Sequence, residues 1–224
     1  MVQWLEDAAN SPLTEEAEGY LLSRGASPAD IKEFGYFVWN TPSTPAPDPM
    51  FRDRYHAHGE RWEGCLATLI RGPLGQPTGA AVRSLAVKMN SIYRMTAQPW
   101  IPFLWGCHTA TQKAWAGGAV WIVEGQFDAL ALGWAVPATD GRVALQRARV
   151  SDDHVTHFQR LNCHVNLVLD MDKAGREGTE RAIYALKKAG VSHTPWQYVG
   201  GKDPGELWDK FGVAGLRSRF TMGV

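Results

Sequence analysis

Two acidic clusters, each directly behind an apolar run, constrain this chain more than any other feature. The first, Glu124-Gly125-Gln126-Phe127-Asp128, follows Ala119-Val120-Trp121-Ile122-Val123. The second, Asp170-Met171-Asp172-Lys173-Ala174-Gly175, follows Val165-Asn166-Leu167-Val168-Leu169. Short apolar runs alternating with helical patterns read as buried strands of a parallel sheet, covered by helices on both faces. Ligands of such sheets sit in the crevice beyond the carboxyl ends of the strands, where both clusters fall. Carboxylates gathered on one edge repel each other, and a divalent cation holds them together. Glu124, Asp170 and Asp172 are therefore candidate ligands for Mg2+ or Mn2+, which binds one or two carboxylates together with substrate phosphates. Asp170 and Asp172 are two apart, so in an extended segment they project to one side.

Each acid also has a purely structural reading. Asp128 lies in the first turn of a helix, where a carboxylate complements the dipole. Asp172 can cap the turn into the next helix, and Asp203 with Glu206 reads as a capping-box variant around Pro204. Gly125 permits a tight strand-to-helix turn, and Gly175 and Gly178 allow backbone to approach a phosphate.

The length of 224 residues suits one large domain or two small ones, and 45% hydrophobic with 21% charged residues is ordinary for a globular protein. Lys+Arg and Asp+Glu both number 23, so net charge steers the chain toward no polyanion, and any nucleic-acid contact needs a local patch. Cys65, Cys107 and Cys163 are far apart with no CxxC pair, which excludes a zinc ribbon and a disulfide framework and predicts reduced, buried thiols in a cytoplasmic protein. The N-terminus does not read as a signal peptide, and no apolar run reaches transmembrane length. Ten tryptophans are scattered, as expected of core filling.

Ser11-Pro12 and Ser27-Pro28 each predict a helix start, with Ser as N-cap and Pro at the first helical position. Gly25 ends the first of these helices. Four prolines between Thr41 and Pro49 predict an extended linker. A hairpin is predicted from Cys65–Ile70 and Ala80–Ala86, turning through 72–79, and a short helix near Thr109–Trp115. Gly117-Gly118 marks a domain boundary. Beyond it come a strand at 119–123, a helix near 126–134, a short strand at 136–139, a helix capped by Ser151 and a strand at 164–169. A helix from about 176 to Lys188, a strand at 196–199 and a helix begun by Asp203-Pro204 follow. Arg142, Arg147 and Arg149 form the densest basic stretch and read as an exposed helix face, or as a track for single-stranded template.

Glu124-Gly125-x-x-Asp128 followed by Asp170-x-Asp172-x-Ala174-Gly175 resembles the Toprim domain of primases, topoisomerases, RecR-type repair proteins and several nucleases. Tyr20-Leu21-Leu22-Ser23-Arg24-Gly25 and Ile31-Lys32-Glu33-Phe34-Gly35-Tyr36 resemble the start of the DnaG-type primase core. Gly75, Gly79 and Arg83 are similar to its G-x-x-x-G-x-x-x-R segment. Lys88-Met89-Asn90-Ser91 is similar to its K-Y-x-N-S step with one residue missing. Phe103-Leu104-Trp105-Gly106 is similar to x-L-Y-G, and Lys202-Asp203-Pro204 to K-D-P. The resemblance spans about residues 13 to 215.

It implies an α/β fold: a Toprim-type parallel sheet flanked by helices (117–224), preceded by a smaller mixed α/β N-terminal lobe (1–116). It implies a catalytic Glu124, metal-binding Asp170 and Asp172, supporting acids Asp128 and Asp203, and phosphate or nucleic-acid contacts at Arg83 and Lys88; without it, both cations are equally solvated strand residues. The implied activity is Mg2+-dependent (or Mn2+-dependent) primer synthesis from nucleoside triphosphates on a single-stranded DNA template, in a phage, plasmid or other mobile replicon. The family's zinc ribbon and helicase modules are not found, and the core is short. A replicative helicase or separate template-recognition subunit is thus expected as partner. A Toprim nuclease and a non-catalytic replication or repair accessory protein are the alternatives.

Overall fold

In a computed structural model, the structure describes residues 1–48, 51, 60–87, 89–95, 102–147 and 149–222. Two sheets organise them. Helices α1 (Val2–Ala8), α2 (Glu15–Ser23) and α3 (Pro28–Phe34) precede an antiparallel sheet of β1 (Tyr36–Val38), β2 (Leu66–Arg71), β3 (Pro77–Arg83) and β4 (Asn90–Arg94) in sequential order. Helix α4 (Cys107–Trp115) then leads into β5 (Val120–Val123), α5 (Gln126–Leu132), β6 (Gly141–Ala144), α6 (Asp152–Leu161), β7 (Val165–Leu167), α7 (Lys173–Lys188), β8 (His193–Tyr198), α8 (Pro204–Ser218) and β9 (Phe220–Met222). The second sheet has the order β6-β5-β7-β8-β9; its first four strands are parallel and β9 is antiparallel.

Side-chain alternation along the strands divides the apolar residues among three cores. Val120 and Ile122 of β5 face α4, α6 and α7, where they join Ala110, Phe158 and Leu186. Trp121 and Val123 face the opposite way, into a core shared by the two sheets with Leu66, Ile70, Leu21, Leu130 and Leu207. Ala67, Leu69, Ala80 and Val82 turn to the far side of the first sheet, under Trp4, Trp39, Phe51 and Trp62. Arg83, at the end of β3, reaches the ring of Phe127 in the first turn of α5. All three cysteines are buried. Among the described residues, no helix is long and apolar enough to cross a membrane.

Four local expectations fail for physical reasons. The first predicted helix starts at Thr14 instead of Ser11, because Thr14 Oγ1 accepts the Ala17 N–H at 3.2 Å and three glutamates fill the first turn. An unpredicted helix, α1, places Trp4, Leu5 and Ala8 in the outer core. The predicted strand at 136–139 is a turn, with the Asp140 N–H on Pro137 O at 3.0 Å; the strand begins at Gly141. Asp140 sets that start, since its carboxylate accepts from Ala119 N–H and from the Trp121 indole. Helix α7 begins at Lys173, a turn earlier than predicted, because Asp172 caps it. The Ser27 start holds as a capping box with Asp30.

Arg142 lies neither on an exposed helix face nor on a template track. It sits in β6, 7% exposed, with Nη2 2.5 Å from Asp30 Oδ1, Nη1 donating to Ala129 O at 3.1 Å, and its guanidinium over the Phe34 ring. Burial works to raise the Asp30 pKa, but the charge and hydrogen bond of Arg142, with Ser27, hold it below the usual carboxylate range. This pair fastens α3 to the second sheet. Asp30→Asn removes the counter-charge of a buried guanidinium and is expected to destabilise the fold by about 3 kcal/mol, read as a lower urea midpoint at unchanged m-value.

Candidate metal centre

Backbone turns at three strand ends bring the acids together. β5 ends at Val123, and Glu124 and Gly125 turn the chain into α5. Asp128, in the first turn of α5, accepts the Gly125 N–H at 3.1 Å through one oxygen and the Gly205 N–H at 3.1 Å through the other. A Cβ on Gly125 would stand 2.7 Å from Asp128 Oδ2, so this closure requires glycine. Asp128 thereby clamps α5 to the start of α8.

The Asp170 N–H donates to Glu124 Oε1 at 3.2 Å, so the two acidic clusters touch. Asp172 caps α7, with Oδ1 accepting the Gly175 N–H at 2.8 Å. Gly175 packs so tightly on the preceding turn that a Cβ would meet Asp170 O at 2.1 Å. Asp203 caps α8 through the Glu206 N–H at 2.6 Å, and its other oxygen lies 3.3 Å from Lys202 Nζ. Glu206 reaches back to the Lys202 N–H at 2.7 Å, one residue outside the standard capping box. The Met171 N–H donates to Lys202 O at 2.7 Å and draws the 170–172 turn against the 202–203 turn.

Negative charge accumulates on this edge. Asp170 is pushed up to about 8, first by burial and then by the charges of Glu124, Asp128, Asp203 and Asp172. Asp128 is pushed up to about 7 by burial and by Asp203, against its two backbone donors and Arg24. Burial also raises Glu124, with the Asp170 N–H opposing and Asp172 and Asp203 adding to the rise. Asp170 Oδ1 is buried without a hydrogen-bond partner, which is costly for a polar atom.

Among the described residues, no group of three or more His, Cys, Asp or Glu side chains is gathered closely enough to hold a metal ion as it stands. The donors present are all oxygens, arranged as an open cluster with one buried oxygen unsatisfied. Oxygen donors and an unsatisfied buried oxygen suit a hard divalent cation that keeps part of its water shell; Asp170 and Glu124, which touch, and Asp172 nearby are the residues that could hold it. Asp128 gives both oxygens to backbone N–H groups, whereas Asp203, like Asp172, gives one as a helix cap.

Arg83 approaches from the other sheet. Its guanidinium lies 5.5 Å from the Phe127 ring centroid and 5.7 Å from that of Tyr20, and its Nε is buried without a hydrogen-bond partner. Lys88 lies outside the described residues. Two groups carry no role in the sequence reading. Arg24 pairs with Asp209 at 2.9 Å, lies over Phe127 at 5.7 Å and opposes the rise in Asp128. Tyr198 lies beneath the acidic turns, with its hydroxyl on Leu169 O and Lys202 O. Arg24 had a visible signal, the Arg-Gly step that closes α2. Tyr198 had none, as one apolar residue of a strand pattern.

Residues 121–208 match the model of a family described as Toprim-like. No curated protein resembles the chain closely enough in sequence to count as a relative. Among solved structures, the RNA polymerase domain of Mycobacterium tuberculosis primase DnaG superposes with a TM-score of 0.69 at 21% identity, over 95% of this chain and 78% of that one. A DnaG primase catalytic domain bound to single-stranded DNA gives 0.68 at 21% identity, over 95% and 76%. The Aquifex aeolicus primase, comprising zinc-binding and RNA polymerase domains, gives 0.66 at 21% identity; the match covers 92% of this chain but only 56% of that one. The carboxylate edge thus lies within the segment that matches the Toprim-like family model. The chain as a whole has the fold of the DnaG primase catalytic core.

Raised carboxylate pKa values make the cation-free protein sensitive to pH. Between the ordinary value of about 4 and the folded value of about 8, the folded state holds protons on Asp170 that the unfolded chain has released. Stability is therefore fully present in acid and is lost as pH rises through that window. In the presence of a chelator, the Tm is expected to be lower at pH 8 than at pH 5.5 by more than in Asp170→Asn. Millimolar Mg2+ is expected to restore most of the loss in the wild type and little in the variant.

Proposed function

We propose that this chain is a DNA primase catalytic core, making short primers from nucleoside triphosphates on single-stranded DNA in a divalent-metal-dependent reaction. One observation carries the reading. Within a DnaG-core fold, Glu124, Asp170 and Asp172 share one sheet edge, and Arg83 lies over the ring of Phe127, the residue before Asp128, with an unpaired buried Nε. A nuclease would require the same acids but gains nothing specific from the antiparallel lobe that supplies Arg83. The DNA bound to one protein of the same fold supports single-stranded DNA as the template class.

In this reading Asp170, Glu124 and Asp172 hold the cation, which when bound neutralises triphosphate charge and stabilises the charge developing on entering and leaving oxygens. Arg83 binds phosphate oxygens through its guanidinium, kept in place by the Tyr20 and Phe127 rings. The primer 3′-hydroxyl gives its proton to solvent as its oxygen bonds to the α-phosphorus of the incoming nucleotide, and the α–β bridging bond breaks to release pyrophosphate. Glu124 fixes one oxygen on the Asp170 N–H and turns the other toward the reacting groups. Asp128 and Asp203 hold the turns that present these acids. Lys88 joins the phosphate contacts by family resemblance. A replicative helicase or a template-recognition subunit supplies the start-site choice.

The test incubates the protein with mixed-sequence single-stranded DNA, labelled nucleotides and Mg2+. Template-dependent oligomers are expected, reduced at least about a hundredfold in Asp170→Ala and Asp172→Ala, while Arg83→Ala mainly raises the nucleotide KM. DNA cleavage without synthesis would reassign the chain to the nucleases. Binding without either reaction in wild type would reassign it to accessory proteins.

A further inference from the structure

The two acidic turns share a support that lies outside the acids themselves. Tyr198, in the last position of β8, is 3% exposed, and its ring packs on Phe220 with centroids 5.4 Å apart. Its hydroxyl lies 3.1 Å from Leu169 O and 2.9 Å from Lys202 O. These two carbonyls belong to the peptides that immediately precede Asp170 and Asp203.

Both peptide planes are held a second time. The single Tyr198 proton is shared between Leu169 O and Lys202 O in a three-centre bond, and the N–H of the peptide joining Leu169 to Asp170 donates to Glu124 Oε1. The carbonyl of Lys202 accepts from Tyr198 and also from the Met171 N–H. A hydrogen-bonded chain thus runs from the phenol through the 169–170 peptide to the Glu124 carboxylate, and a second bond fixes the Asp203 turn to the Asp170 turn. Groups linked this way polarise and orient one another, and a second shell of this kind sets how well a cation is held.

We infer that Tyr198 is a positioning residue for the cation site: its hydroxyl locks the peptides ahead of Asp170 and Asp203 and, through the first of them, the Glu124 carboxylate. This inference rests on the metal-centre reading. Tyr198 is remote from the reacting atoms and acts only through the geometry of the acids. Without the hydroxyl, the Met171 N–H to Lys202 O bond would be left to hold the two turns together against the repulsion of their aspartates.

Mn2+ binding to the full chain tests this without recourse to catalysis, by the loss of the free-ion signal in electron paramagnetic resonance. Tyr198→Phe keeps the ring and removes the hydroxyl. The Mn2+ Kd is expected to rise about tenfold. The control is Trp196→Phe, two residues earlier on the same strand and facing the same side, whose indole donates to Asn166 Oδ1 at 2.8 Å and touches neither turn. It also loses one buried hydrogen bond, and its Mn2+ affinity should match the wild type. Measurement at 10 °C with trimethylamine N-oxide, an osmolyte that favours the folded state, keeps a weakened variant folded for the comparison. Equal affinity in Tyr198→Phe and wild type would overturn the role of Tyr198 and leave the metal centre intact. An equal loss in both variants would reduce it to general packing. Absence of Mn2+ uptake by the wild type would overturn the metal centre itself and this inference with it.

Discussion

Mutual repulsion among carboxylates at the end of one sheet is the constraint around which the rest of this molecule is arranged. Glu124, Asp128, Asp170, Asp172 and Asp203 come from three different strand-to-helix turns, and an edge so charged would spread if nothing held it. Backbone N–H groups do part of that work. Those of Asp170, Gly125, Gly205, Gly175 and Glu206 each take one carboxylate oxygen. Hydrogen bonds to the charged form offset burial and like charge, but incompletely: Asp170 still rises to about 8 and retains a buried oxygen with no donor. The residual imbalance is the physical basis for proposing a cation at this edge.

The glycines of the site follow from the same constraint. Gly125 and Gly175 are needed because Asp128 and the Asp170 carbonyl occupy the space a side chain would fill. Close approach of helix N-termini to the strand ends also directs backbone N–H groups at the acids, so caps and site are one structure. Asp172 and Asp203 show that the structural and functional readings of an acid are compatible. Each caps a helix through one oxygen, and the second oxygen of Asp203 lies beside Lys202 Nζ.

The antiparallel sheet completes the arrangement. Its inner face and the face of β5 that carries Trp121 and Val123 form one core, and Arg83 reaches across to the Phe127 ring of α5. Asp30 and Arg142 fasten α3 to β6 across the same boundary. A pair this deeply buried owes its persistence to completeness. Arg142 has Asp30, the Ala129 carbonyl and the Phe34 ring as partners, and loss of one leaves a charge without compensation.

What the sequence by itself determined is local. Apolar runs ending at Glu124 and near Asp170, the Ser27 capping box, the hairpin and the alternation of strands with helices depend on neighbours a few positions apart, and they were legible along with the acidic motifs. Where a local signal had competitors, only the folded chain decided: Thr14 displaced Ser11 as a cap, and Asp140, by pairing with Ala119 and Trp121, moved a strand from 136–139 to 141–144. Tertiary structure alone decided that Arg142 is a buried partner of Asp30, which lies 112 positions away, and that Asp128 gives both oxygens to backbone. It likewise decided that Tyr198 joins two acidic turns. Burial and long-range pairing depend on the summed packing of the whole chain, and no short window of sequence contains that information.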